Sequence, residues 1–191
     1  MAIEVVVFDI GETLVDETSA WERAAAAAGV PAFTVMGILG GLAARGEHHS
    51  RVWELLGVAR PAAEFAAADF YPDAEPCLER LRGEYRVGAV GNTSVETEEL
   101  LRPLVDFVGS SAGWGVEKPA QAFFERLARE AGAEPAKIAY VGDRVDNDVE
   151  PALAAGMVAV HIRRGPWGYL HEAPGGALRI RSLDELPSVL P

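Results

Sequence analysis

Residues Ile3 to Phe8 (IEVVVF) form a run of strand length dominated by β-branched and aromatic side chains, and the run ends on Asp9. A strand with apolar side chains on both faces is satisfied only inside a parallel sheet covered by helices on both sides. Similar runs recur at Arg86 to Val90, Val105 to Val108, Ile138 to Val141 and Met157 to Ile162, with a last one near Ala177 to Ile180. Helical patterns lie between them at Val95 to Leu101, Pro119 to Ala131 and Val149 to Ala155. In the second, Ala122, Phe123, Leu127 and Ala131 are expected on one face. Strand and helix in alternation predict an α/β fold built on a doubly wound, Rossmann-like parallel sheet.

One stretch breaks the alternation. From about Asp16 to Asp73 there is no convincing strand, only the helix-forming text TSAWERAAAAAG, PAFTVMGILGGLAARG, HHSRVWELLG and RPAAEFAAADFY, each closed by Gly or opened by Pro. The alanines at 24 to 28 are good helix formers. Three or four short helices are expected here as a small all-helical cap, residues 16–73, joined to an α/β core of residues 1–15 and 74–191 through hinges near Leu14 to Thr18 and Tyr71 to Ala74. Trp21, Phe33, Trp53 and Phe65 are expected to form the core of that cap.

Composition bounds the partners. At 191 residues the chain can bury one substantial core with an appendage, and 49% hydrophobic residues suit a globular protein. The start MAIEVVVFDI has neither a basic leader nor a signal cleavage site, and no apolar stretch approaches a membrane span, so a cytoplasmic protein without a membrane partner is expected. Cys77 is the single cysteine, which excludes an intrachain disulfide and a thiolate zinc cluster. The net charge of −12, from 29 acidic and 17 basic residues, repels nucleic acid. Only two lysines are present, Lys118 and Lys137, so an anionic substrate must find its positive charge in a metal or in very few side chains. Richness in alanine, glycine and arginine suggests a GC-rich bacterial gene, and the composition leaves the oligomeric state open.

In an open parallel sheet, ligands bind beyond the carboxyl ends of the strands. Four polar sites stand there: Asp9; Gly91-Asn92-Thr93-Ser94; Lys118 after GWGVE; and Asp143 to Asp148 after IAYV. In this order FDIGETL, VGAVGNTS, EKP and VGDRVDND resemble the motifs of the haloacid dehalogenase superfamily, whose members are mostly phosphatases. The resemblance covers essentially the whole chain. It implies a Mg²⁺-dependent hydrolase of a small phosphorylated substrate in which Asp9 attacks phosphorus and forms an aspartyl-phosphate. Lys118 is then implied as the catalytic and phosphate-binding cation, Asn92 and Thr93 as further phosphate contacts, and Asp9, the Gly11 carbonyl, Asp143 and Asp148 as the metal site. A carboxylate attacks a phosphate dianion poorly because like charges repel, and three carboxylates balanced by a divalent cation and an ammonium remove that obstacle.

The chain departs from the family pattern twice. Gly11 stands where the phosphatases carry a second Asp as general acid and base, and a positioned acid or base is worth roughly 10² to 10⁴ in rate. Glu12, or His48 or His49 from the cap, is the candidate substitute. Gly91 stands at the position of the family's Ser or Thr, so Thr93 and backbone N–H groups are the candidate replacements. Thr13 is expected to brace the loop after Asp9, and Asp146 to cap a helix. The alternative is a non-catalytic phosphate- or partner-binding relative. A metal-free dehalogenase fits less well because Asp143 and Asp148 are both present, and a phosphonate-cleaving enzyme less still because the cap contains no lysine.

Overall fold

The computed structural model of the protein describes residues 2–62 and 64–191. Six parallel strands, β1 (Val5–Phe8), β2 (Arg86–Gly91), β3 (Phe107–Ser110), β4 (Ile138–Gly142), β5 (Val158–Ile162) and β6 (Leu178–Ile180), form one sheet in the order β3-β2-β1-β4-β5-β6. Each predicted strand is present within two residues of its expected ends. The register pairs Phe8 with Ala89 on one side and with Val141 on the other. The strand order reverses at β1, so the residues that follow β1 and β4 emerge side by side at the switch point.

Alternation along β1 explains the two cores. Val6 and Phe8 face a cluster with Leu78, Leu81, Val87 and Leu183, whereas Val5 and Val7 face one with Phe123, Phe124, Leu127 and Tyr140. The helices, in chain order, are α1 (Thr18–Ala27), α2 (Ala32–Ala44), α3 (Arg51–Leu56), α4 (Ala74–Leu81), α5 (Val95–Leu101), α6 (Ser111–Trp114), α7 (Gln121–Ala131), α8 (Glu150–Ala154), α9 (Gly165–Leu170) and α10 (Leu186–Val189). On α7 the buried face is Phe123, Phe124, Leu127 and Ala131. Ala122 is exposed, which corrects the expected face by one position.

Helices α1 to α3 pack around Ala24, Val35, Leu39, Leu42, Val52 and Trp53, a cluster separate from both faces of the sheet. Among the described residues of the fourth helical segment expected here, RPAAEFAAADFY, the helical structure is limited to a 3₁₀ turn at Ala67–Asp69. The aromatic assignment also changes. Trp53 is buried and stacks on Trp21 at 5.8 Å between ring centroids, but Phe33 is 89% exposed and Phe65 packs against the sheet cluster. Phe33 lies on the outer side of a helix whose inner side is filled by Val35, Leu39 and Leu42.

The outgoing and returning connections of this insertion run side by side. Val15 pairs antiparallel with Phe70, Asp16 N–H donates to the Asp69 carbonyl at 2.8 Å, and Tyr71 N–H to the Leu14 carbonyl at 2.9 Å. From the other side α9 reaches up. Trp167 inserts into the cluster of α1 to α3, and His171 Nε2–H donates to the Ala43 carbonyl at 2.8 Å. Among the described residues no single helix is long and apolar enough to cross a membrane.

Candidate active site

Asp9, Lys118, Asp143 and Asp148 converge at the carboxyl end of the sheet. Lys118 is almost fully buried, with its ammonium 2.6 Å from Asp9 Oδ1 and 2.5 Å from Asp148 Oδ1. Burial opposes that charge, but the carboxylates of Asp148 and Asp9 outweigh it and hold the lysine protonated well above its usual range. Oxygens of Asp9, Asp143 and Asp148 lie within 4.8 Å of one another. Asp148 is locked, because its second oxygen accepts the Arg144 N–H at 3.0 Å. The Asp143 carboxylate, in contrast, accepts no hydrogen bond among the described residues, and Asp143 lines the cavity above the sheet. Burial, then the charges of Asp148 and Asp9, push its carboxyl well above the ordinary range. A buried, all-oxygen set with more negative charge than one ammonium offsets has the chemistry of a Mg²⁺ site.

Two glycines make this packing possible. A Cβ on Gly91 would stand 2.6 Å from Asp9 Oδ1, and one on Gly142 would stand 2.5 Å from Asp148 Oδ2. Gly91 is therefore more than a lost hydroxyl: it gives the Asp9 carboxylate its room.

The neighbouring residues hold the four in place. The Asn92 side chain donates to the Lys118 carbonyl at 3.0 Å and accepts the Lys118 N–H at 2.8 Å, so its amide positions the lysine backbone. Thr93 lines the cavity beside it, and its carbonyl accepts the Ala112 N–H at 3.3 Å. His161, whose imidazole is pushed below its ordinary range by burial, donates Nε2–H to the Asp143 carbonyl at 2.9 Å. Arg164 donates to the Thr13 carbonyl at 2.8 Å and pairs with Asp73, tying the loop after Asp9 to the body of the sheet. Thr13 itself does not brace that loop, since its buried hydroxyl has no partner. Asp146 makes a two-pronged pair with Arg144 at 3.1 and 2.6 Å.

A cavity of about 820 Å³ opens above this floor. Its far wall carries Trp21, Met36, Leu39, His49, Trp53 and Trp167. The space is large enough for a small-molecule ligand. His48 and His49 reach it, but His48 is bonded to Ser50, and burial pushes His49, edge-on to Trp21 and Trp167, down to about 3. Glu12 is also engaged: its oxygens accept the Glu17 N–H at 3.0 Å and the Tyr71 hydroxyl at 2.6 Å. The residue next to Gly11 is Glu17, which the sequence reading passed over. Glu17 ends the loop that leaves β1 and opens α1, and burial, followed by the charge of Glu12, pushes its carboxyl up to about 7.

The model of the haloacid dehalogenase-like hydrolase family matches residues 3–156. Among curated proteins, glyceraldehyde 3-phosphate phosphatase of Methanopyrus kandleri is 40% identical over 117 residues, covering 58% of this chain and 50% of the relative. The Methanocaldococcus jannaschii protein of the same name is 34% identical over 104 residues, 52% of this chain and 46% of its own. The chain thus spans about half the length of the curated relatives it matches, and both are archaeal, which lends no support to a bacterial source. Among solved structures, the magnesium-bound HAD-hydrolase YfnB of Bacillus subtilis superposes with a TM-score of 0.73 at 16% identity, over 100% of this chain and 99% of that one. At that identity the likeness concerns the fold.

Proposed function

The chain belongs to the haloacid dehalogenase-like hydrolases, and from that membership we propose that it hydrolyses a small phosphorylated metabolite through an aspartyl-phosphate on Asp9. The observation that carries this reading is the Lys118 ammonium, shared between Asp9 and Asp148 at the floor of an open cavity beside the unpaired carboxylate of Asp143. The names of the curated relatives, both phosphatases, support the phosphoryl chemistry.

Each residue has a part. Asp9 supplies the nucleophilic oxygen at the end of a strand buried on both faces, so its backbone is fixed by β1 and by its N–H donating to the Val141 carbonyl at 2.8 Å. Lys118 neutralises the nucleophile in the free state and the equatorial phosphoryl oxygens during transfer. Asp148 and the Asn92 amide aim the lysine, and Thr93 and the backbone after β2 stand where phosphate oxygens arrive. Asp9 and Asp143, with Asp148 behind them, would hold Mg²⁺, which when bound offsets phosphate charge as a Lewis acid. Helices α1 to α3 serve as a cap, residues 16–73, that shields the site from bulk water.

The test is hydrolysis of p-nitrophenyl phosphate and acetyl phosphate with Mg²⁺ and with EDTA. Turnover is expected with Mg²⁺ only and is expected to vanish in Asp9→Asn. Phosphate binding without turnover of either substrate would replace this reading by the non-catalytic one.

A further inference from the structure

Phosphoryl transfer from an alcohol needs a proton for the departing oxygen, and hydrolysis of the resulting acyl phosphate needs a base for water. Asp9 cannot serve, since it is the group being phosphorylated, and position 11 offers no side chain. We infer that Glu17, brought back over Gly11 by the loop between β1 and α1, is the general acid and base of this site, an inference that rests on the phosphatase reading above.

The geometry carries it. A Cβ built on Gly11 would collide with Glu17 Oε1 and stand 3.0 Å from its Cδ, so the Glu17 carboxyl fills the space where a side chain at position 11 would begin. That space is two residues beyond Asp9, on the wall of the same cavity. Glu17 Oε2 accepts the Trp21 indole N–H at 3.0 Å, which fixes the plane of the carboxyl. Oε1 accepts no hydrogen bond among the described residues.

The other acids and imidazoles of the cavity wall are engaged by other groups or exposed. Both oxygens of Glu12 are bonded, Asp16 caps the Thr18 N–H at 2.9 Å, and Glu64 accepts from Ser94 at 3.1 Å. His48 is bonded to Ser50, and His49 lies edge-on between two indoles. Glu117 is exposed on the segment before Lys118. Asp143 is the remaining unpaired carboxylate, and it belongs to the metal set.

The steps balance. The Asp9 oxygen bonds to phosphorus as the ester P–O bond breaks, the electron pair stays on the departing oxygen, and that oxygen takes the Glu17 carboxyl proton. Water then attacks phosphorus, its proton passes to the Glu17 carboxylate, the bond to Asp9 breaks, and inorganic phosphate leaves with both carboxyls as they began. Glu17 thereby restores from the first turn of the cap what Gly11 removed from the floor, and proton transfer is completed only when cap and floor are assembled.

The experiment compares wild type, Asp9→Asn, Glu17→Gln, Glu17→Ala and the double variant Gly11→Asp/Glu17→Ala on glycerol 3-phosphate and p-nitrophenyl phosphate. Nitrophenolate is a good leaving group that departs without a proton. Glu17→Gln, close in shape and able to keep the Trp21 bond, is expected to lose about 10² to 10³ in kcat on the alkyl ester. On the aryl ester it is expected to release one rapid equivalent of nitrophenolate per site and then turn over slowly, because water lacks its base. Gly11→Asp/Glu17→Ala is expected to recover turnover at least tenfold over Glu17→Ala, since the alanine vacates the space the new aspartate needs. Asp9-dependent turnover that Glu17→Gln leaves unchanged on both esters would overturn Glu17's role alone. An equal loss on both esters, with no burst and no recovery in the double variant, would do the same by assigning Glu17 a packing role. Absence of Asp9-dependent turnover in the wild type would overturn the phosphatase reading and this inference together.

Discussion

The floor and the roof of the cavity are assembled in different ways. On the floor, Asp9 and Asp143 directly follow buried parallel strands, so the register of β1 against β4 fixes their separation before any side chain packs. The roof depends on side-chain packing among three short helices and on Trp167, which arrives from the far side of β5 to fill their core. The floor is consequently set by backbone pairing and tuned by charge, whereas the roof is set by side-chain packing between its helices and α9. On the proposed phosphatase reading, the chemistry common to many substrates would sit on the floor and the surfaces that choose among substrates on the roof.

Variants can strain this contrast from either side. A large stability effect is expected at Lys118, whose removal leaves Asp9 and Asp148 buried and facing each other without a cation. Lys118→Met is expected to lose roughly 3–5 kcal/mol in denaturant titrations, with partial recovery in Lys118→Met/Asp148→Asn. If Lys118→Met alone proves as stable as the wild type, the floor is not organised by charge.

Truncation in the roof is expected to act locally. Trp53→Ala removes about 3–5 kcal/mol of packing, yet the loss should appear as faster amide exchange confined to residues 18–56, with β1 and β4 still protected. Equal loss of protection in the strands would mean that cap and sheet fold as one cooperative unit and that the contrast is mistaken.

A smaller effect is expected at Gly91, and its sign is informative. The family pattern would favour a hydroxyl here, but the space belongs to Asp9 Oδ1, so Gly91→Ser is expected to cost about 1–3 kcal/mol and to lower turnover by displacing the nucleophile. A gain in turnover would show that the carboxylate yields and that the lost hydroxyl was the greater deficit.

The same division explains what could be read from the sequence. All six strands and the four floor residues were legible, because apolar runs of strand length ending in a polar residue are a local signal. Helices α1 to α3 were legible from their alanine-rich, Gly-punctuated text. Glu17 was not, since its position depends on how the loop from Ile10 to Asp16 turns back, with the Leu14 and Val15 N–H groups both donating to the Ile10 carbonyl. Nor was the engagement of Glu12, which takes Tyr71 from the other end of the insertion as its partner. Trp167 sits in RRGPWG, where no helix was expected, and its indole finds the cap only because α2 packs over α9. The outward side of Phe33 follows from the cap's inner face being filled by other residues. Contacts between segments distant in the chain decide each of these, and no local pattern reports them.

The identity of the nucleophile is open to direct chemical trapping. Enzyme mixed with Mg²⁺ and acetyl phosphate, quenched in acid and reduced with borohydride, is expected to yield homoserine at position 9 by peptide mass spectrometry, with none in Asp9→Asn. Reduction product at another carboxylate, or none at any position while phosphate is released, would contradict the assignment of Asp9 and with it the mechanism derived for this floor.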